Sequence, residues 1–395
     1  MKYFLVGGAV RDQLLGWPAG DRDWLVTGAS PQQLLDLGYQ QVGKDFPVFL
    51  HPQTKEEYAL PRCSTDGLTE RQQVEADLSH RDLTINAMAI GPDGALIDPL
   101  NGKQDLQQRL LRHTPAFSDD PIRVLRLARF SARYAEFDFS PATETVQLIR
   151  ELVDNGLLSQ LVAERVWAEI VRALEEEKPA IFFRTLRECG ALVATLPELD
   201  RLFGVPQPEK YHPEIDTGVH SLMVLEQACR LSREPEVRFA ALVHDLGKGV
   251  TPAAEWPRHH GHEATSEKLV KRLCKRLKIP NRFCHLARMV AQYHTHCHKA
   301  TELKPRTVLK VLMALDCLRK PQRLEQFLTA CKADTRGRSG YEERSYPQAE
   351  IFRAALQAVI EVDCSALARQ VDNPSKLPTL IAQQRARAIA RKMQP

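Results

Sequence analysis

Up to about residue 115, apolar residues come in short runs bounded by glycine, proline or charge: FLVGG, WLVTG, FPVFLH, EYAL, TINAMAI and ALIDP. Runs of that length and punctuation predict strands, with helix-spaced stretches between them. From about Asp120 the pattern changes. Apolar positions recur every three to four residues in IRVLRLARFSARY, ETVQLIRELVDNGLL, ERVWAEIVRALEEE and IFFRTLRECGALVATL, which predicts amphipathic helices and no further strands. The expected fold class is α+β, a mixed N-terminal part followed by an all-helical remainder. Pro197, Pro206, Pro208 and Pro213 cluster with glycine between two helical blocks, so a domain boundary is expected near 197–216.

Composition narrows the class without naming a function. A chain of 395 residues has room for two to four domains, at roughly 100 to 200 residues each. With 43% hydrophobic and 26% charged residues it reads as an ordinary soluble protein. Its apolar runs fall well short of the ~20 residues that a membrane span needs, so no membrane partner is expected. The opening MKYFLVGG is too short for a signal peptide, and nine cysteines without a CxxC pair point to reduced thiols and a cytoplasmic location. The net charge of +4 says less than its distribution. Between Ser375 and Pro395 stand Lys376, Arg385, Arg387, Arg391 and Lys392 and no acid, a local field that attracts a polyanion.

The chemistry begins at LVGGAVRDQLLG and GDRDW. Gly7 and Gly8 follow a strand-like run and open a helix-like one, which leaves free backbone N–H groups where phosphates bind. Arg11 lies one turn further. If GDRDW enters a strand, Asp21 and Asp23 share a face. Two carboxylates that close repel one another unless a cation sits between them. A phosphate cradle followed by paired carboxylates is the layout of a metal-assisted nucleoside triphosphate site.

These motifs recur in a series: LVGGAVRDQLLG with DRD, RDLTINAMA at 81–89, DDPIRVLRLARFSARY at 119–134 and ERVWAEI at 164–170. In order and spacing the series resembles a class II tRNA nucleotidyltransferase, a CCA-adding enzyme, over nearly the whole chain. YHPEIDTGVHSL, ALVHDLGKGVTP and WPRHHGHE resemble the bacterial multifunctional form with an HD phosphohydrolase domain. The resemblance implies a polymerase-beta-like nucleotidyltransferase head over 1–135, a helical neck over 136–200 that binds tRNA and nucleotide, an HD domain over 217–334 and a helical basic tail over 335–395. The implied activity is addition and repair of the 3′-terminal CCA of tRNA from CTP and ATP, by a monomer or homodimer. The HD part would hydrolyse phosphomonoesters and 2′,3′-cyclic phosphates. A poly(A) polymerase-like or CC-adding enzyme is the alternative.

Carried over by motif, Asp21 and Asp23 are the catalytic carboxylates and bind Mg²⁺. Gly8, Arg11, Arg81, Arg126 and Arg129 bind ATP or CTP, with Asp82 and Asn86 belonging to the same motif as Arg81. That motif's usual first arginine is His80 here. A third carboxylate is expected in this class, and Glu57 is the candidate. On one helix Asp120 and Arg123 are i and i+3 neighbours. An ordinary surface ion pair is one explanation; the resemblance implies that they read the base, Arg donating and Asp accepting. Between EYAL and RDLTINA the family commonly carries a longer flexible loop that assists the switch from C to A. Here the segment 61–80 is short, which makes A addition less secure than C addition.

Ten of the thirteen histidines fall within 212–298. His220, His244, Asp245 and Asp334 resemble the H…HD…D ligand set of HD hydrolases, and imidazole with carboxylate suits Ni²⁺ or another divalent transition ion. His259, His260 and His262 are candidates for further ligands or phosphate contacts. For HTHCH at 294–298 a structural role is expected, since only its outer pair shares a helix face.

Overall fold

The computed structural model describes residues 1–18, 20–42, 48–62, 67–369 and 373–393. The chain packs into two compact units, Met1–Leu161 with Glu188–Ala191 and Val162–Arg187 with Leu192–Pro395. The proline-rich stretch 197–216 lies within the second unit.

The first unit contains β1 (Lys2–Val6), α1 (Gly8–Leu14), β2 (Asp23–Thr27), α2 (Pro31–Asp36), β3 (Gln40–Val42), β4 (Val48–Leu50), β5 (Glu57–Ala59), α3 (Glu70–Ser79), β6 (Ala89–Ile90), β7 (Leu96–Ile97), α4 (Gly102–Gln108), β8 (Leu110–Leu111), α5 (Arg123–Arg133), β9 (Ser140–Pro141) and α6 (Thr143–Asp154). Seven strands form one mixed sheet in the order β3-β4-β5-β2-β1-β6-β7. Alternation along the strands supplies both of its cores. Val26, Phe49 and Tyr58 cluster with Leu34 of α2, and Phe4, Val6, Leu25 and Ala89 cluster with Val74 and Leu78 of α3.

Register then places the site. β1 runs antiparallel to β2 with Val6 opposite Asp23, and β2 runs parallel to β5 with Asp23 beside Glu57. The chain leaves β1 through Gly7, whose φ of +71° is the left-handed region, and α1 starts one residue later. A Cβ on Gly7 would lie 2.7 Å from Arg81 Nη1, so glycine serves both the turn and the close approach. The double glycine and both acids of the sheet therefore meet at one end of three adjacent strands.

Several elements differ from the sequence reading. TINAMAI is mostly not strand: Thr84–Asn86 is a 3-10 turn and only Ala89–Ile90 pairs. Asp82 ties that turn, accepting from Leu83 N–H at 2.8 Å and from Asn86 Nδ2 at 3.1 Å. The segment 61–80 is not an open loop, because α3 occupies its second half behind a capping box between Thr69 and Gln72. Residues 63–66 of that segment, and Phe46 and Pro47 of FPVFLH, lie outside the described residues. β9, two residues paired with β8, is strand beyond Asp120, where none was expected.

The second unit is helical: α7 (Ala163–Glu175), α8 (Ala180–Glu188, its last residue in the first unit), α9 (Leu192–Thr195), α10 (Pro197–Asp200), α11 (Thr217–Leu231), α12 (Pro235–Leu242), α13 (His262–Arg276), α14 (Asn281–His298), α15 (Pro305–Ala314), α16 (Gln322–Arg336), α17 (Gln348–Ile360), α18 (Cys364–Arg369) and α19 (Leu377–Met393). Val224, Ala228, Ala241 and Ala333 form a buried cluster where α11, α12 and α16 meet. Small side chains there let three helices approach closely enough to bring His220, His244 and Asp334 together. Among the described residues no helix is long and apolar enough to cross a membrane.

Candidate active sites

In the first unit, a cavity of about 440 Å³ opens at the end of the sheet. Asp21, Asp23, Gly8 and Arg11 line it, together with Arg81, Arg123, Arg126 and Arg129. The two aspartates do not share a strand. β2 begins at Asp23, and Asp21 precedes it in irregular backbone, yet both face the cavity. Burial raises the Asp23 carboxyl above its ordinary value, and the charges of Glu57 and Asp21 add to the rise while Arg81 and Arg62 oppose it. A cation between the carboxylates would relieve that repulsion, so the donor set fits a hard divalent ion.

The arginines are held in place. Arg11 is buried, donates to Asn86 Oδ1 at 2.5 Å, pairs with Asp12 at 2.7 Å and stacks over the Tyr134 ring. Arg126 pairs with Asp82 at 2.8 Å. Burial works against the Asp82 charge, but Arg126, Asn86 and the Leu83 N–H outweigh it and hold the carboxyl below its ordinary value. Arg81 pairs with Asp77 at 3.3 Å. Arg62 and Arg133 also line the cavity, and motif reading missed both. Arg133 carried a signal, since Arg126, Arg129 and Arg133 repeat at i, i+3 and i+7.

Asp120 and Arg123 are not neighbours on one helix. α5 starts at Arg123, and Asp120 precedes it in extended backbone. The Arg123 guanidinium donates to the carbonyls of Arg81 at 3.1 Å, His80 at 2.7 Å and Ala116. Arg123 lines the cavity and Asp120 does not.

In the second unit the HD histidines converge. His220 Nε2 lies 3.1 Å from Asp334 Oδ1, and His244 Nε2 lies 3.1 Å from Asp245 Oδ2 and 3.7 Å from Asp334 Oδ1. All four predicted ligands are buried. The outer pair of HTHCH belongs here as well, contrary to the structural role expected for it. His294 Nε2 lies 3.5 Å from Asp245 Oδ1 and His298 Nε2 lies 2.6 Å from Asp334 Oδ2. Spacing i and i+4 on α14 had correctly put the two on one face. Of the HHGH histidines, His262 joins through Asp245 Oδ1 at 3.3 Å. His259 instead meets Thr251 Oγ1 and the Pro206 carbonyl, and His260 lines the adjoining cleft. Gly247 makes the His262 approach feasible, because a Cβ there would lie 2.3 Å from the His262 carbonyl oxygen.

Burial opposes a charge on His244, but Asp245 and Asp334 more than offset it and raise its pKa, so the cluster attracts a cation. His244 Nε2, His262 Nε2 and Asp245 Oδ1 are buried without a hydrogen-bond partner among the described residues. Imidazole nitrogens and carboxylate oxygens left so fit a transition metal. Beside the cluster a cleft of about 770 Å³ is lined by Lys248, Arg258, Lys299 and Arg338, a cationic surround suited to phosphate.

Three family profiles match the chain in order: the Poly A polymerase head domain over residues 3–112, the probable RNA and SrmB-binding site of polymerase A over 138–203, and the HD domain over 217–319. A multifunctional CCA protein of Teredinibacter turnerae is 57% identical over 381 residues, which is 94% of this chain and 93% of that one. The chain belongs to the multifunctional CCA protein family. The relative from Hahella chejuensis is 54% identical, with 99% and 95% of the two chains covered. Among solved structures, a CCA-adding enzyme complexed with CTP shares the fold at a TM-score of 0.67 and 21% identity, covering 98% of this chain and 87% of the other. The Thermotoga maritima CCA-adding enzyme complexed with tRNA gives 0.64 and 20%, with 98% and 87% covered.

Within this family's architecture, the resemblance-based head residues Gly8, Arg11, Asp21, Asp23, Arg81, Arg123, Arg126 and Arg129 all reach one cavity. His220, His244, Asp245 and Asp334 share the second cluster with His262, already a candidate for a further ligand, and with His294 and His298, for which a structural role is expected from sequence.

Proposed function

We propose that the head adds and repairs the 3′-terminal CCA of tRNA from CTP and ATP. The observation that carries this reading is one cavity where Asp21 and Asp23 stand opposite seven arginines at the glycine-opened start of α1. Asp21 and Asp23 would hold divalent ions, Mg²⁺ by donor type, and such ions supply neutralisation of charge on the attacking and leaving oxygens. Arg11, Arg81, Arg126 and Arg129 bind the triphosphate, and the amides beside Gly8 complete the cradle. Held there, the nucleotide presents its α-phosphorus to the tRNA 3′-hydroxyl. The new P–O bond forms as the bond to pyrophosphate breaks. Asp120 and Arg123 read the base in this account, and for that Arg123 exchanges the carbonyls of His80 and Arg81 for the nucleobase.

The HD cluster is read as a hydrolase of phosphomonoesters and 2′,3′-cyclic phosphates. His220, His244, Asp245 and Asp334 would hold a divalent transition ion, which supplies Lewis-acid polarisation and an acidified water. Lys248, Arg258 and Arg338 bind the phosphate oxygens in the cleft. Such hydrolysis would clear damaged tRNA ends before the head rebuilds them.

Asp21→Ala or Asp23→Ala is expected to lower nucleotide addition by on the order of 10³-fold or more in a protein that stays folded. Near-parental turnover with Mg²⁺ in either variant removes the assignment. Altering Asp120 or Arg123 should relax rejection of UTP and GTP in a four-nucleotide competition. Unchanged base choice removes them as readers. Counting nucleotides added to a defined tRNA primer separates CCA addition from CC addition and from poly(A) synthesis.

A further inference from the structure

We propose that the exposed face of α13 binds the phosphate backbone of a tRNA whose 3′ end lies in the HD cleft. The choice of tRNA and of its end rests on the hydrolase reading of that cleft, whereas the surface rests on charge and position.

Between Lys268 and Lys278 the chain carries six cations and no acid. The cations around this stretch are mostly spoken for: Arg276 pairs with Glu198 at 2.7 Å, Lys278 with Glu164, and on α14 Arg282 with Glu236 at 2.9 Å and Arg288 with Glu267 at 2.5 Å. Lys268, Lys271, Arg272 and Lys275 are not. All four are exposed, and among the described residues none has a side-chain hydrogen bond or an ion pair. Their spacing of i, i+3, i+4 and i+7 gathers them on one arc of about 100°, while Ser266, Val270, Leu273 and Cys274 bury the other side. Like charges at these spacings repel and weaken a helix. Lys275, in the last turn, gains from the helix dipole, but the other three stand before it. A face kept only for solubility mixes the two signs. A bound polyanion turns the repulsion into attraction.

Position selects the polyanion. His262 and Glu263 open α13, and both line the HD cleft together with His260 and Gly261. At a rise of 1.5 Å per residue, Lys268 stands about 9 Å along the helix from His262 and Lys275 about 20 Å. At a stacked rise of ~3.4 Å per nucleotide, those distances are roughly three to six nucleotides from an end held in the cleft. A terminal phosphate bound by Lys248, Arg258 and Arg338 therefore leaves the preceding phosphates free to run along α13. The row is about 10 Å long, more than one phosphate spans. No aromatic or large apolar side chain stands among the four, which separates this face from one that enters a lipid surface. Lysine and arginine set against phosphates hold a nucleic acid in position without reading its sequence.

The test compares the tag-free full chain with two triple variants that remove equal charge. One is Lys271→Gln with Arg272→Gln and Lys275→Gln; the other is Lys304→Gln with Arg306→Gln and Lys320→Gln, exposed cations that do not line the cleft. Affinity for a tRNA transcript is measured by fluorescence anisotropy over a range of salt concentrations. The α13 variant should bind about 10-fold more weakly near 0.1 M salt, with a log–log salt slope smaller by about 2 to 3, and the second variant should keep the parental values. Unchanged binding in the α13 variant, or an equal or greater loss in the second, overturns the surface. Hydrolysis is then followed with Ni²⁺-loaded protein on a tRNA ending in a 2′,3′-cyclic phosphate and on a 2′,3′-cyclic mononucleotide. For the α13 variant KM should rise about 10-fold on the tRNA with kcat kept, and the mononucleotide should be turned over as by the parent. An equal loss on both substrates overturns the placement of the 3′ end in the cleft. A parent that hydrolyses neither substrate overturns the hydrolase reading and that placement with it, while the binding measurement still decides the surface.

Discussion

Glu214 shows how one side chain governs others. Its Oε1 accepts from His212 Nδ1 at 3.0 Å and lies 2.9 Å from His220 Nδ1, so it fixes the tautomer that turns His220 Nε2 inward. Although burial opposes its charge, the hydrogen bonds from both histidines hold the carboxyl well below the ordinary range. Glu214→Gln can still accept but no longer carries charge behind His220. Ni²⁺ affinity of the HD centre, measured by competition with a chromophoric chelator, should fall by about 10- to 100-fold. Unchanged affinity would mean that His220 is oriented by Gly337 alone. Nothing in the spacing of YHPEIDTGVH marked Glu214, because the contact needs the turn before α11 to fold back on its own helix.

Among elements, the short 3-10 segment Leu246–Val250 after Asp245 carries a tight constraint. Gly247 sits where a Cβ would meet the His262 carbonyl at 2.3 Å and Ser266 N at 2.7 Å, both at the start of α13. Gly247→Ala should cost about 1–3 kcal/mol of stability and move Asp245 away from His262. Thermal unfolding and metal content should fall together, and a variant with parental values for both would show that α13 yields without consequence. In the first unit, α3 takes ten residues of the short segment 61–80. Its capping box and its Val74 and Leu78 contacts anchor it to the sheet. With so little chain left to reposition Arg62, Arg81 and Arg123, addition of A should be slower relative to C than in a relative with a longer segment. Equal rates for the second and third nucleotides on matched primers would remove the segment from the account.

For the whole molecule, the division into two compact units has a functional counterpart. Asp21 and Asp23 belong to one unit, whereas His220, His244, Asp245 and Asp334 belong to the other. The donor sets differ as well, hard oxygen in one and mixed nitrogen and oxygen in the other. His244→Ala or Asp245→Ala should therefore abolish phosphatase and cyclic phosphodiesterase activity and leave nucleotide addition intact, while Asp21→Ala does the reverse. Assaying both activities on all three variants checks this. Loss of both in a folded His244→Ala protein would mean one coupled centre, and a parent without hydrolase activity would reduce the cluster to a structural role.

What the sequence determined by itself was whatever local pattern carries. Periods of two and three to four residues marked a mixed front and a helical remainder. Motifs whose members lie within one turn or strand, such as GGAVR, DRD and VHDLG, marked both centres. Tertiary structure decided what depends on distant pieces meeting. Only register set Glu57 beside Asp23, and only the packing of α11 on α16 set His220 against Asp334, 114 residues away. His294 and His298 read as ordinary helix residues until α14 packed beside Asp245. Asp120 and Arg123 read as helix neighbours until α5 was seen to begin at Arg123. Local periodicity reports which face of an element is buried. It carries no information on which other element will cover that face, and the ligand sets of both centres are assembled across elements.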